Sequence, residues 1–527
     1  MKHSWCVMVI CLAALIVGGA ACETFFVDSQ ASSSGTGDFV VSGRTESFFL
    51  ARQVDPRSED SAGPQVVAAG DLNGDGMTDL ASVWNQSQPV QAHIQQRTAN
   101  GDVFFITVPL AGTTPIASAS GIEIADMDGD GRQDIVVLVK DTGTVALCDP
   151  ERLDCDTTEN GGIINGALWG GLIIFYNPAD PINDLWAPVI LGNSFFAGAG
   201  SENDPPEEGG YTGLTLADID GQLGPDIIVA FNSAEGDPPV NRIDLYLNPG
   251  NAGSRFDDAW DTTTAFADFP KAGAVGTLDV DRDGDLDIVA INPDARSGNV
   301  FWLPNPLIRN GATDANAVAN TVDWNIRAPL GHVDTGAETL AIGDVDGDGL
   351  DDIVVRSKVG KLVQWFQAPA VPSTSFIRNP WRVFTLAEFV DREPQGMAIG
   401  DLTGDAQIEA VIAAEGAVVW FDALGAPSIF DHWAENLIID EGPPPDATTQ
   451  GLGAVDETGT TDPLISVTDP TADPTAQNVQ EAGTFIATML IVDIDGDGAN
   501  DIVATIDRAE LSGLADDALV WFRNLRN

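Results

Sequence analysis

Basic residues are scarce in this chain: 24 Lys and Arg stand against 80 Asp and Glu, a formal net charge of −56. Only Lys2, Lys140, Lys271, Lys358 and Lys361 are lysines. A field of that sign repels nucleic acid and anionic lipid surfaces, so neither is an expected partner. Histidine and tyrosine are nearly absent, with four and three residues. His93, His332 and His432 share no spacing motif and read as structural or surface residues. No GxSxG, HExxH or phosphate-cradling glycine pattern occurs. A charge-neutralising catalytic site is hard to build from so few basic and tyrosine side chains, and an enzyme is not expected.

Long apolar runs are missing too. The longest near the start, Val7 to Val17, is too short to span a bilayer. It follows Lys2 and His3 and precedes Gly18-Gly19-Ala20-Ala21-Cys22, so residues 1–21 read as an export signal. Small residues before Cys22 resemble a bacterial lipoprotein signal, which implies lipidation of Cys22; plain cleavage to a soluble secreted protein is the alternative. Both place the protein in the cell envelope or outside it, with any membrane contact made through the lipid alone. Residues 22–44, Ser/Gly-rich from Ser29 to Arg44, suit a flexible tether. Cys6 and Cys11 leave with the signal. That leaves Cys148 and Cys155 as a pair, which in an exported protein is expected to close a small disulfide loop.

Acidic residues are present in a pattern. Asp344-Val345-Asp346-Gly347-Asp348-Gly349-Leu350-Asp351-Asp352 puts carboxylates at positions 1, 3, 5 and 9 of a nine-residue loop, with glycine at position 6 for a turn of positive φ. Oxygen-only ligands at that density suit Ca²⁺, which takes six to eight oxygens at roughly 2.3–2.6 Å. The loop recurs from Asp71, Asp126, Asp218, Asp279, Asp401 and Asp493. The starts are about 60 residues apart, with two longer intervals of about 90 where insertions fall.

Four copies are complete in the same way as one another: Asp126, Asp128, Asp130 and Asp134; Asp279, Asp281, Asp283 and Asp287; Asp344, Asp346, Asp348 and Asp352; Asp493, Asp495, Asp497 and Asp501. The first loop keeps Asp71, Asp75 and Asp79 and has Asn73 at position 3. Backbone carbonyls at position 7, from Met77, Arg132, Asp285, Leu350 and Ala499, would complete these five sites. Two loops are degenerate. One retains Asp218, Asp220 and Asp226 but has Gln222 and Leu223 at positions 5 and 6; the other has Asp401, Thr403, Asp405 and Glu409 with Ala406 at position 6. An EF-hand is excluded because the flanks alternate as strands and no glutamate stands at position 12. A DxDGT phosphatase nucleophile is excluded because threonine never follows the glycine, and zinc because the loops lack His and Cys.

Each loop lies between two apolar strands, a third strand carries aromatics such as Trp365-Phe366 and Trp420-Phe421, and a fourth segment opens on Trp186, Trp324, Trp381 or Trp433. The unit is a four-stranded antiparallel sheet with its acidic hairpin between strands one and two. Seven such sheets predict an all-β, seven-bladed β-propeller over residues 45–527. The last unit stops after three strands, while Ser47 to Arg52 precedes the first loop and supplies the missing strand. The aromatics recur at a fixed place in each blade, which favours packing between sheets over sugar stacking.

DxDGDGxxD loops in such a β-unit resemble FG-GAP or VCBS-type repeats, the family that includes the integrin α-subunit propeller. The resemblance implies Ca²⁺ in the loops and a remaining surface used for adhesion, carbohydrate or protein binding. It leads to the expectation of a monomeric, calcium-stabilised, non-catalytic binding module with a protein or glycan partner. A polysaccharide lyase or hydrolase using the central depression and a structural envelope scaffold are the rival readings. The insertions Cys148 to Asn165, Gly198 to Gly210 and Glu441 to Gly483 fall on the face opposite the loops, which marks that face as the candidate binding surface.

Overall fold

In the computed structural model, the described residues are 49–56, 63–84, 90–110, 119–139, 143–148, 163–168, 171–191, 209–222, 224–233, 241–250, 260–267, 271–293, 299–309, 312–319, 324, 328–333, 336–370, 381–389, 392–414, 417–423, 433–440, 485–507 and 518–525. They form seven four-stranded antiparallel sheets. The first strands of the seven are Pro64–Gly70, Ala119–Ala125, Gly209–Ala217, Val275–Leu278, Ala337–Gly343, Pro394–Gly400 and Phe485–Val492. Each of these touches the first strand of the sheet on either side, and the seventh touches the first, so the sheets are blades of a closed propeller with first strands innermost.

Closure is made by the two ends of the described chain. Phe49–Pro56 pairs antiparallel with Ala518–Asn524, Phe49 opposite Asn524, and so becomes the outer strand of blade 7. This is the strand expected from residues 47 to 52, extended to Pro56.

The core lies between blades. Second strands such as Asp352–Ser357, Asp79–Trp84 and Glu409–Ala414 are buried at every residue, because a blade's middle strand has a neighbouring blade on both faces. Seven apolar clusters fill the seven interfaces. Alternation along a strand divides adjacent aromatics between them: Trp365 joins the blade 5–6 cluster and Phe366 the blade 4–5 cluster. Trp420 and Phe421, and Trp521 and Phe522, split in the same way.

Three features depart from the simple repeat. Trp324 does not open the fourth strand of blade 4, which is Ala328–His332. A two-stranded hairpin and the four-residue helix Ala315–Val318 precede it, and buried Trp324 donates its Nε1–H to the Val318 carbonyl at 2.8 Å. In blade 2 a second hairpin, Gly143–Cys148 with Ile163–Leu168, is inserted between strands two and three. The signal, the tether with Cys22, Cys155, the Cys148 side chain, His432 and the stretch from Glu441 to Gly483 lie outside what is described. Among the described residues no helix is long and apolar enough to cross a membrane.

Candidate metal centres and the network behind them

Register sets the seven loops alike. Position 9 always pairs with the residue before position 1: Gly70 with Asp79, Ala125 with Asp134, Gly343 with Asp352, Gly400 with Glu409. The turn is held by the position-1 carboxylate. Asp71 accepts the N–H groups of Gly74, Asp75 and Gly76 at 2.8, 3.1 and 2.9 Å, and Asp126 accepts those of Gly129, Asp130 and Gly131. To present those N–H groups the backbone turns left-handed at positions 4 and 6, φ 70° and 85° at Gly347 and Gly349. Arg282 at position 4 (φ 59°) and Ala406 at position 6 (φ 68°) adopt this conformation with a side chain attached.

Position 5 is pinned in turn, its carboxylate accepting the N–H of position 7: Met77 to Asp75, Arg132 to Asp130, Leu350 to Asp348 and Ala499 to Asp497, all near 3 Å.

In five loops carboxylate oxygens converge within 4.8 Å of one another: Asp126, Asp128 and Asp134; Asp218, Asp220 and Asp226; Asp279, Asp281 and Asp287; Asp344, Asp346 and Asp348; Asp493, Asp495 and Asp497. The donor set is all oxygen, suited to a hard cation. In the fourth loop Oδ1 of both Asp281 and Asp285 is buried without a hydrogen-bond partner, as fits groups that await a cation. The loop at Asp218, degenerate in sequence, gathers its three carboxylates all the same. Its Gln222 amide donates to Asp220 Oδ2 at 2.6 Å, which supplies a donor where other loops have an acid. Neutralising donors enter other loops as well: Asn73 to Asp75, Gln367 to Asp346, and Arg523 to Asp495 and Asp497.

The position-9 acids face inward. Asp79, Asp226, Glu409 and Asp501 are fully buried. One oxygen accepts the N–H of position 2, as Asp134 Oδ2 does from Met127 at 2.9 Å, and the other accepts an N–H from the end of the third strand, as Asp134 Oδ1 does from Asn177 at 2.8 Å. Burial pushes Asp79, Asp134, Asp226, Asp352 and Asp501 up to about 7 and Asp287 to about 8, against the lowering effect of these backbone donors. A cation beside them would restore the charged form.

Behind five of the seven acids lies a residue that motif reading missed. The Asn177 amide donates to the Gln133 carbonyl of its own loop and to the Leu72 carbonyl of the preceding blade's loop, at 2.8 and 2.6 Å. Asn248 makes the same pair of bonds to Pro225 and Met127, Asn305 to Leu286 and Ile219, and Asn524 to Asn500 and Leu402. Gln95 does so in blade 1, to Thr78 and Ile494. Five blade interfaces are thus stitched at the loops. For the four asparagines the signal was present one to three residues beyond the third-strand aromatics; Gln95, in a strand without an aromatic, carried no such signal.

His93 and Ser82 superficially resemble a catalytic pair: His93 Nε2 is 2.7 Å from Ser82 Oγ, and Asp55 Oδ2 lies 4.0 Å from Nδ1. Both side chains are fully buried, Nδ1 is bonded to Thr107 Oγ1 at 3.0 Å, and Trp84 Nε1 donates to Ser82 Oγ. No substrate reaches this hydroxyl; the group is a packed polar network. His332 is exposed.

Inside the ring the first strands enclose a channel of about 1500 Å³. Its acidic-loop end is walled by apolar side chains including Leu214, Leu340, Met397 and Leu490, and its far end by polar ones including Gln65, Thr212, Lys271, Glu338 and Gln395.

Residues 71–137 match the FG-GAP-like repeat family. No curated protein matches the chain. Solved structures with similarity include an Agrocybe aegerita lectin recognising non-reducing terminal N-acetylglucosamine, 14% identical over 72% of this chain and 81% of that one, TM-score 0.38. BBS1N in complex with ARL6DN, in lead- and mercury-soaked crystals, is 10% identical, with TM-scores of 0.43 and 0.44 over 91% and 90% of this chain and 96% and 97% of that one.

Proposed function

We propose that this FG-GAP repeat propeller is an exported binding module whose acidic loops hold Ca²⁺ as a structural ion and whose ligand meets the opposite face. The observation that carries this reading is how fully the loop carboxylates are engaged with their own backbone. Asp126 and Asp134 between them accept five N–H groups. Carboxylates so committed fix the hairpin itself, and one oxygen from each of Asp126, Asp128 and Asp134 lies within 4.8 Å of the others, a spacing that suits one small cation rather than a macromolecular partner. Calcium there would offset the repulsion among clustered acids and couple ion binding to folding. Export supplies the millimolar Ca²⁺ that sites of modest affinity need.

In this reading recognition falls to the opposite face, because loops carried on a rigid scaffold are where binding usually resides. A monomer that binds protein or glycan, without chemistry of its own, accounts for these features. The test combines melting with ligand search. EDTA is expected to lower the melting temperature by many degrees and Ca²⁺ to restore it, while a glycan array or a pull-down from envelope extract yields a ligand. An unchanged melt removes the calcium; an empty array together with an empty pull-down removes the binding role.

A further inference from the structure

We propose that the polar mouth of the central channel binds the carboxylate of an acidic sugar at a saccharide chain end. This rests on the binding-module reading and names its ligand class.

The first observation is a reversal of charge. The chain carries 80 acidic residues against 24 basic ones, yet among the described residues the channel is lined by three cations, Lys271, Lys358 and Arg356, and by two acids, Glu338 at the same end and Glu123 toward the acidic loops. All three cations stand at the end away from the acidic loops. Lys271 precedes the first strand of blade 4, and that strand runs on into the loop at Asp279; Lys358 follows the second strand of blade 5, which starts at its loop. The two segments adjoin. Lys358 N–H donates to the Gly336 carbonyl, Gly336 N–H to the Pro293 carbonyl, and a Cβ on Gly273 would come within 2.8 Å of the Ala337 carbonyl.

Arg356 is the second observation. It is 5% exposed, donates to the Pro394 carbonyl and Thr339 Oγ1 at 2.7 and 2.8 Å, and reaches Glu338 Oε2 at 3.3 Å, while its buried Nε–H has no partner. A guanidinium held at low exposure costs desolvation, and a single half-exposed glutamate offsets it only in part. An anion entering the mouth would meet Arg356, Lys271 and Lys358 in surroundings that screen them less than bulk water does.

The rest of the lining specifies what carries the anion. Amides and hydroxyls from Gln65, Thr212, Asn232, Gln395 and Thr488 ring the mouth, and these both donate to and accept from ligand hydroxyls. No aromatic side chain lines the channel among the described residues, so stacking on a neutral pyranose is not offered. Charge must then supply the affinity that stacking supplies elsewhere. A polyhydroxylated anion satisfies both halves of this lining. The space of about 1500 Å³ exceeds the usual 300–1,000 Å³ of a drug-sized site and admits an oligosaccharide end.

The experiment titrates the full-length, calcium-loaded protein with a glucuronate-ended trisaccharide, its methyl ester and citrate. Binding of the uronate alone, weakened about tenfold by either Lys271→Glu or Lys358→Glu and weakened by salt, is the expected result. Both lysines are away from the core and the acidic loops, and unchanged melting curves confirm that the variants fold. Equal binding of ester and acid, binding of citrate in preference to the sugar, indifference to both charge reversals, or no binding of the uronate each overturns the proposal. If the array or pull-down meanwhile yields a ligand that the reversals leave unaffected, the binding module stands and only this site falls.

Discussion

Asn177 and Leu72 are 105 residues apart in sequence, and the side-chain amide of the first donates to the carbonyl of the second at 2.6 Å, across the boundary between blades 1 and 2. The same amide also caps the Gln133 carbonyl, while the backbone N–H of Asn177 is bonded to Asp134. One residue therefore ties together an acid of a candidate metal loop, its own loop and its neighbour's loop.

Replacing Asn177 by Ala leaves two buried carbonyls without their donor and should cost about 1–3 kcal/mol in chemical denaturation. Asn248→Ala and Asn305→Ala should cost similar amounts, because they make the same bonds. An Asn177→Ala protein as stable as the parent would show that the stitch is incidental.

Ala406 holds a left-handed backbone, φ 68°, at the place where five other loops have glycine. That conformation costs an L-residue roughly 1–2 kcal/mol, against about 0.5–1 kcal/mol of chain entropy for glycine. Ala406→Gly is expected to raise stability by about 0.5–1 kcal/mol, read as a higher denaturation midpoint. A lower midpoint would mean that the methyl group packs usefully.

Metal content can be counted loop by loop. Asp348 is the exposed member of the cluster with Asp344 and Asp346, so its removal disturbs packing little. Asp348→Ala is expected to lower the bound Ca²⁺ per chain by one and to reduce the melting temperature more in Ca²⁺ than without it, where only the bond from the Leu350 N–H is lost. An unchanged ion count would show that this loop closes without a cation.

Burial raises the Glu123 carboxyl of blade 2's inner strand from 4.5 to about 7. A group with a raised folded pKa stabilises the fold below its unfolded pKa and loses that contribution as pH climbs through about 7. Glu123→Gln should therefore match the parent near pH 4 and exceed it at pH 8 by roughly 1–3 kcal/mol. Both proteins are compared in saturating Ca²⁺, where the loops contribute equally. A stability difference that does not vary with pH would place the Glu123 carboxyl in water.

Deleting residues 1–56 removes the outer strand of blade 7 and exposes the edge Ala518–Asn524. The truncated chain is expected to melt lower and to self-associate, and a peptide of residues 49–56 should reverse both effects. A monomeric truncation with the parent melt would mean that the ring holds without this strand.

The repeat was legible because each blade restates one local rule: a loop whose acids cap its own turn, set between strands whose β-branched residues face two neighbours. The terminal strand was legible because seven units require an even complement of strands and one was short. Other features were hidden for a physical reason. Asn177 and its counterparts act on carbonyls in another repeat, and a bond between repeats leaves no spacing within either. Trp324 was read as a strand opener because its counterparts are, but the inserted hairpin and helix in blade 4 displaced the strand to Ala328–His332 and left the indole as packing. The cations at the channel mouth come from two segments more than 80 residues apart, Lys271 before blade 4 and Arg356 with Lys358 in blade 5, and only the ring brings them together.

The pairing of Phe49 with Asn524 also sets an order of events. The strand that completes the last blade leaves the ribosome ahead of the first blade, and its partner emerges only after the other six blades. At roughly 5–20 residues per second the interval is about half a minute to a minute and a half. Through that time residues 49–56 are an unpaired edge able to join a strand from another chain. A chain kept extended until its last blade has been synthesised avoids the hazard, and the ring then has its last piece at hand when the first blades begin to form.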